Sequence, residues 1–388
     1  MSFDFDTILD RRNTGSMKWD KYAGRDILPL WVADMDFLSP PAVIAALRAR
    51  ADNGVFGYTV PTAEAVQAVV DYLREQHQYA IRPEWIVWSH GLVPALSIAC
   101  RAYAKEGEGV LVCTPVYPPM LSTPVSMGRR LIPVPLKLEN ERWDFDWPAL
   151  EKAVTADTRI FILCSPHNPV GRVWTRAELE QVANFCARHN LVLVSDEIHG
   201  DLVLDEPAGV RHVITASLSP AVEARTLTQM AASKTFNLPG LACAFSVIAD
   251  PKLRTAFAQA AHGLVTEINS FGYAGTIAAF REGEPWRREL IAYLRGNRDY
   301  LYDFIKTRLP QLKIVPMQAT YLAWIDARGL GVDNPAKFFE EAGVGLSPGS
   351  VFGEAGRGYV RLNFGCPRAI LKQALERMEQ AVQGKKGA

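Results

Sequence analysis

The sequence predicts an α/β fold: a mostly parallel central sheet flanked by helices, with a smaller α+β domain at the C-terminus. Three observations predict it. From about residue 90, short runs that are apolar throughout alternate with helical patterns, as in a parallel sheet covered on both faces. The chain has 388 residues, 48% of them hydrophobic and 22% charged, enough to bury a large core or two. Beyond about residue 284 the alternation gives way to one long amphipathic stretch opened by Pro285.

The strand candidates are Gly109–Thr114, Arg129–Leu136, Arg159–Cys164, Leu191–Ser195, Ala224–Met230 and Ala244–Ala249, with helical stretches such as Gly91–Tyr103 and Arg176–Arg188 between them. From Pro285 to Leu309, residues such as Trp286, Leu290, Leu294, Leu301 and Phe304 recur at helical spacing, and Pro310 stops the helix. Strands at Lys313–Val315, Tyr321–Ile325 and Tyr359–Asn363 follow, with helices at Pro335–Ala342 and Ala369–Val382. The expected division is a large domain over residues 41–284 and a small one over 285–388. Residues 1–40 hold too few apolar side chains for a core and are expected to pack on the small domain or on a partner subunit.

Composition excludes several classes. With 42 basic and 42 acidic residues, no long-range field favours nucleic acid or anionic lipid. No apolar run approaches the roughly 18 residues of a membrane span, and the start, Met1 to Asp6, lacks a signal-peptide pattern. The six cysteines are scattered without a C-x-x-C pair, several inside apolar strands, which reads as reduced core thiols in a cytoplasmic protein. Glu197, His199 and Asp201 alternate like metal ligands, but no second cluster completes a site, so no metal is expected. Gly353, Gly356 and Gly358 run in the wrong order for a dinucleotide fingerprint.

In open α/β sheets, ligands bind beyond the carboxyl ends of the strands. Those ends carry Tyr117, then Asn168 in Ser165-Pro166-His167-Asn168-Pro169, then Asp196, then Lys234 between Ser233 and Thr235. A helix beginning near His90-Gly91 offers free N–H groups and a positive dipole end, a suitable anion site. Together these supply what pyridoxal phosphate requires. Lys234 would form the Schiff base, Asp196 would hold the pyridine nitrogen protonated, and Asn168 would face the ring hydroxyl. Tyr117 would stack on the ring, and the helix N-terminus would hold the phosphate. Each has a bland reading too: Asp196 as a helix cap, Asn168 as a turn former, Tyr117 and Tyr58 as core or interface filler, Arg361 as half of a surface ion pair. The joint placement at strand ends favours the functional reading for Lys234, Asp196 and Asn168.

The strings Cys164 to Gly171, Ser195-Asp196-Glu197-Ile198-His199 and Ser233-Lys234-Thr235-Phe236-Asn237 resemble the fold type I, class I/II aminotransferase superfamily. Leu30 to Phe37, Gly57-Tyr58-Thr59 and Arg361-Leu362-Asn363-Phe364 resemble, within it, the MalY/PatB-type cystathionine β-lyases. The likeness extends to Phe5-Asp6, Arg11, Ser16 and Lys18-Trp19-Asp20, so it covers nearly the whole chain. It implies that Arg361 binds the substrate α-carboxylate near Ala33 and Asn168. It further implies that Gly91, Leu92 and Val93 present amides to the phosphate, and that Tyr58 reaches into the partner's site of a homodimer. Lys234, Tyr58 and Tyr117 become the candidate catalytic residues.

Two positions depart from the wider superfamily. Ala242 stands where a phosphate-binding arginine is usual, and His199 where a tyrosine is frequent. Both agree with the lyase branch, and the ring-hydroxyl role falls either to His199 or to Asn168 alone. The resemblance implies α,β-elimination from cystathionine or a related cysteine S-conjugate, giving a thiol, pyruvate and ammonia. An aminotransferase is the alternative, since the ring chemistry is shared. A regulator that acts by binding a protein partner is a third reading, with no added domain or basic patch to favour it.

Overall fold

The computed structural model describes residues 3–264 and 267–386. Its centre is a seven-stranded sheet built from β1 (Ile86–Ser89), β2 (Gly109–Thr114), β3 (Arg130–Pro135), β4 (Thr158–Cys164), β5 (Val192–Asp196), β6 (Thr226–Met230) and β7 (Ala244–Ile248). The strand order is β1-β7-β6-β5-β4-β2-β3. β7 runs antiparallel to both its neighbours, while β6, β5, β4, β2 and β3 are mutually parallel.

The apolar runs are explained by burial on both faces. In β2, Val110 and Val112 face one way and pack with Leu96, Ile98 and Ala99 of helix Leu92–Tyr103. Leu111 and Cys113 face the other way, into a cluster with Leu179, Val182 and Phe185 of helix Arg176–Arg188. That second helix begins at a reciprocal capping box between Thr175 and Glu178, which satisfies two N–H groups at its start. The first begins at Gly91, whose φ of 144° is open to glycine and strained for other residues.

A four-stranded antiparallel sheet follows, made of β8 (Lys313–Ile314), β9 (Leu322–Asp326), β10 (Ser347–Pro348) and β11 (Tyr359–Asn363) in the order β8-β9-β11-β10. Helices Glu284–Arg308 and Arg368–Lys386 accompany it. The N-terminal segment joins this sheet-rich region: Leu28–Pro29 pairs in parallel with Val344–Gly345. Phe5 sets its ring 5.2 Å from Phe37 and 5.6 Å from Trp286. The chain between these anchors, residues 30–37, therefore crosses the C-terminal end of the large sheet, where the candidate residues lie.

Candidate active site

The parallel register aligns the functional strand ends. Cys164 lies opposite Asp196, and Asp196 opposite Gln229, so the turns after β4, β5 and β6 leave the sheet at one level. The turn after β4 is held by a bond from the Gly171 N–H to the His167 carbonyl, 2.8 Å. Gly171 itself has φ +69°, and a Cβ there would sit 2.5 Å from that of Met317. Only glycine fits, and the tight turn presents Asn168.

These ends open on a cavity of about 340 Å³. Of the residues singled out in the sequence, Lys234, Asp196, Asn168, Tyr117, His199 and Arg361 line it. So do Ala33, Ser233 and the Gly91-Leu92-Val93 helix start. Tyr58 does not. It is fully exposed, in an irregular segment fixed nearby by the Thr59 hydroxyl on the Ile268 carbonyl, 2.7 Å.

Lys234 Nζ donates to the Ala33 carbonyl at 2.7 Å. Burial lowers its pKa to about 8, against the pull of Asp34 and Asp196, so the neutral amine is accessible near neutral pH. Burial pushes Asp196 the other way, up to about 7, despite a 3.2 Å bond from the Ile198 N–H. A cation beside this carboxylate would restore its charge. His199 is 4% exposed, its Nδ1 has no partner, and burial drops its pKa to about 3. It is a neutral ring.

Arg361 on β11 donates to the Trp31 carbonyl at 2.8 Å and to Asn168 Oδ1 at 3.2 Å, while its Nε has no partner. Burial lowers its pKa to about 10, so it stays charged, and an unfilled guanidinium donor in a buried setting suits a carboxylate ligand. No other arginine lines the cavity among the described residues, and Ala242 occupies the wall with φ 47°.

Segment 31–37 is held carbonyl by carbonyl. Ser347 Oγ donates to Trp31, and Asn363 Nδ2 donates to both Val32 and Asp34 at 2.7 Å. The Tyr321 hydroxyl donates to Ala33 at 3.0 Å, and Asn237 Nδ2 to Met35 and Phe37 at 2.9 Å. Lys18 and Arg11 bind the Asp36 carboxylate at 2.8 and 2.7 Å. Arg11 also binds Asp34 at 2.7 Å, so both carboxylates anchor the loop. Tyr321 was missed: its flanking strand was legible, but nothing in the sequence aims its hydroxyl at Ala33. Asn237 and Asn363 lay inside the motif strings without an assigned role.

Over residues 25–378 the chain matches the family described as aminotransferase class I and II. It is a member of that family. A curated relative, cystathionine beta-lyase PatB of Bacillus subtilis, is 37% identical over 98% of this chain and 100% of its own length. Among solved structures, OvoB superposes with a TM-score of 0.94 at 43% identity, covering 98% of this chain and 99% of that one. Cystalysin from Treponema denticola, which contains a pyridoxal 5'-phosphate cofactor, superposes with a TM-score of 0.94 at 33% identity over 99% and 100% of the two chains. The fold is therefore that of the fold type I pyridoxal-phosphate enzymes, as the class I and II motifs implied.

Proposed function

We propose that this class I and II family member is a pyridoxal-phosphate-dependent carbon–sulfur β-lyase. Its substrate is L-cystathionine or a related cysteine S-conjugate, released as a thiol, pyruvate and ammonia. The observation that carries the reading is the convergence of Lys234, Asp196, Asn168 and Arg361 on one cavity, in a chain aligned end to end with a cystathionine β-lyase.

The residues present fit the cofactor. Asp196, pushed up to about 7 by burial, would gain a counter-charge from a protonated pyridine nitrogen. The helix start at Leu92 and the Ser233 hydroxyl suit the phosphate without an arginine. Asn168 and the neutral His199 would meet the ring hydroxyl, and Tyr117 would cover the ring face. When bound, pyridoxal phosphate supplies an electron sink for the carbanion formed at the substrate α-carbon.

The chain's own groups do the rest. Arg361, through its unpartnered Nε, takes the α-carboxylate and fixes which α-substituent stands beside Lys234. Lys234, held by the Ala33 carbonyl and depressed to about 8, removes the α-proton as a neutral amine and passes a proton to the departing sulfur. The 31–37 segment, pinned by Asn237, Asn363 and Tyr321, covers the reacting atoms and limits water.

The same reading makes the protein a cytoplasmic homodimer in which Tyr58 enters the partner's cavity. Tyr58 is fully exposed within a run that also exposes Val55, Phe56 and Val60, an apolar edge that a second copy would cover. The six buried, unpaired thiols suit a reducing compartment, and no helix among the described residues is long and apolar enough to cross a membrane.

The visible spectrum of the loaded protein tests the reaction type. With L-cystathionine and no keto acid, a lyase returns to its starting spectrum when the thioether is exhausted. Stoichiometric conversion to the amino form of the cofactor, reversed only by a keto acid, would identify an aminotransferase instead.

A further inference from the structure

The residues that follow Asp196 and Lys234 in sequence turn away from the cavity into one buried polar layer. Glu197 is fully buried and accepts from Ser195 Oγ at 2.7 Å and the Thr215 N–H at 3.0 Å, with His212 Nε2 at 2.7 Å. Thr235 is fully buried and donates its hydroxyl to Asp201 Oδ2 at 3.2 Å. The other oxygen of Asp201 meets His77 Nε2 at 2.8 Å, and its backbone carbonyl accepts from Arg287 at 2.9 Å. The His77 and His212 rings stand edge to face, 5.8 Å apart.

We propose that Asp201, oriented by His77, is a positioning residue for Lys234 and acts through the Thr235 hydroxyl. This rests on the reading of Lys234 as the proton-moving group. The Lys234 side chain lines the cavity and Thr235 does not, so the two neighbours leave their shared backbone on different sides, Thr235 toward Asp201. Asp201 has no contact with the cavity, yet its two oxygens are committed to helix Ala63–His77 on one side and to the lysine's neighbour on the other. A carboxylate buried at 6% exposure with both oxygens filled is a rigid acceptor. It fixes the Thr235 rotamer, and with it the backbone from which Nζ reaches the α-carbon. Small displacements of a reacting group cost large factors in rate. The alternating Glu197, His199 and Asp201, rejected above as a metal set, thus separate by face: His199 toward the cavity, the two carboxylates behind it.

The test compares Thr235→Val, which keeps shape and loses the hydroxyl, with Thr235→Ser, which keeps the hydroxyl and loses a methyl. Both are measured as loaded enzyme by kcat and KM for L-cystathionine and by the visible circular dichroism of the bound cofactor. Thr235→Val is expected to lose about tenfold in kcat with little change in KM, and to alter the dichroic band. Thr235→Ser should match the unaltered protein in all three. Unaltered kcat in Thr235→Val would overturn the proposal, as would serine impaired as deeply as valine, since packing alone would then explain the site. If Thr235→Val does not fold, Asp201→Asn, with a weaker neutral acceptor, should alter the same band, and an unaltered band overturns the proposal. Should the unaltered protein fail to turn over the thioether, the lyase reading fails and the dichroic comparison alone decides the role of Asp201.

Discussion

Lys234 and Asp196 are driven toward each other in pKa, to about 8 and about 7, chiefly by burial. Each is poised to change charge when a ligand enters. Lys234→Ala should lose about 10²- to 10⁴-fold in kcat for β-elimination, the usual worth of a placed proton-transfer group, while steady-state assays register any surviving rate. His199 gives a prediction for the cofactor-free protein. Its folded pKa of about 3 lies below the ordinary 6.5, so the unfolded chain binds the extra proton between those values. The stability from the neutral ring is whole above pH 6.5 and is lost as pH falls toward 3. Asp196 works with the opposite sign as pH rises through 7. Between pH 7 and 5, therefore, His199→Gln should lose about 2 kcal/mol less stability than the unaltered protein in denaturant titrations. An equal loss in both would refute the buried neutral ring. Lys234, Asp196 and Asn168 were legible in the sequence because each sits at or just past an apolar run, and Arg361 because it stands in a string shared with the lyases. Tyr321, Asp201 and Thr235 were not, because their partners lie far along the chain and only folding brings them together.

The elements show the same division between local and tertiary information. Helix Arg176–Arg188 and strands Gly109–Thr114 and Tyr359–Asn363 have the limits the sequence predicts, where capping residues and buried runs coincide. The first sheet strand, Ile86–Ser89, was not foreseen. It has four residues, three of them only half-buried, and so lacks an apolar signature. The reversed direction of Ala244–Ile248 was equally hidden, since hydropathy carries no polarity along the strand. The 31–37 segment has no periodicity, and its form comes from Ser347 and Asn363 of the smaller sheet and from Tyr321 and Asn237 in connecting segments, which cap its carbonyls. Asn363→Ala would leave the Val32 and Asp34 carbonyls without their 2.7 Å donor and should cost on the order of 2 kcal/mol. Hydrogen exchange of residues 31–37 should quicken while the central strands stay protected. Uniform acceleration across the chain would contradict this local account.

For the whole molecule, the arrangement of subunits decides whether a single chain holds a complete site. Lys234 lines its own cavity and Tyr58 does not, so the shared-site reading makes a distinctive prediction. Lys234→Ala and Tyr58→Ala chains, each impaired alone, should regain about a quarter of the unaltered activity when unfolded together and refolded as an equal mixture. Half the dimers are then hybrids with one intact site. No recovery on mixing would return Tyr58 to a purely structural interface role. Carbon–sulfur cleavage is the step that defines the proposed enzyme, and the most direct measurement counts both products. Purified, cofactor-loaded protein is given L-cystathionine with no keto acid, and pyruvate and free thiol are followed together. A β-lyase releases the two in equal amounts over many turnovers, and that is the expected result. No product until a keto acid is added, followed by amino-group exchange without thiol release, would contradict it.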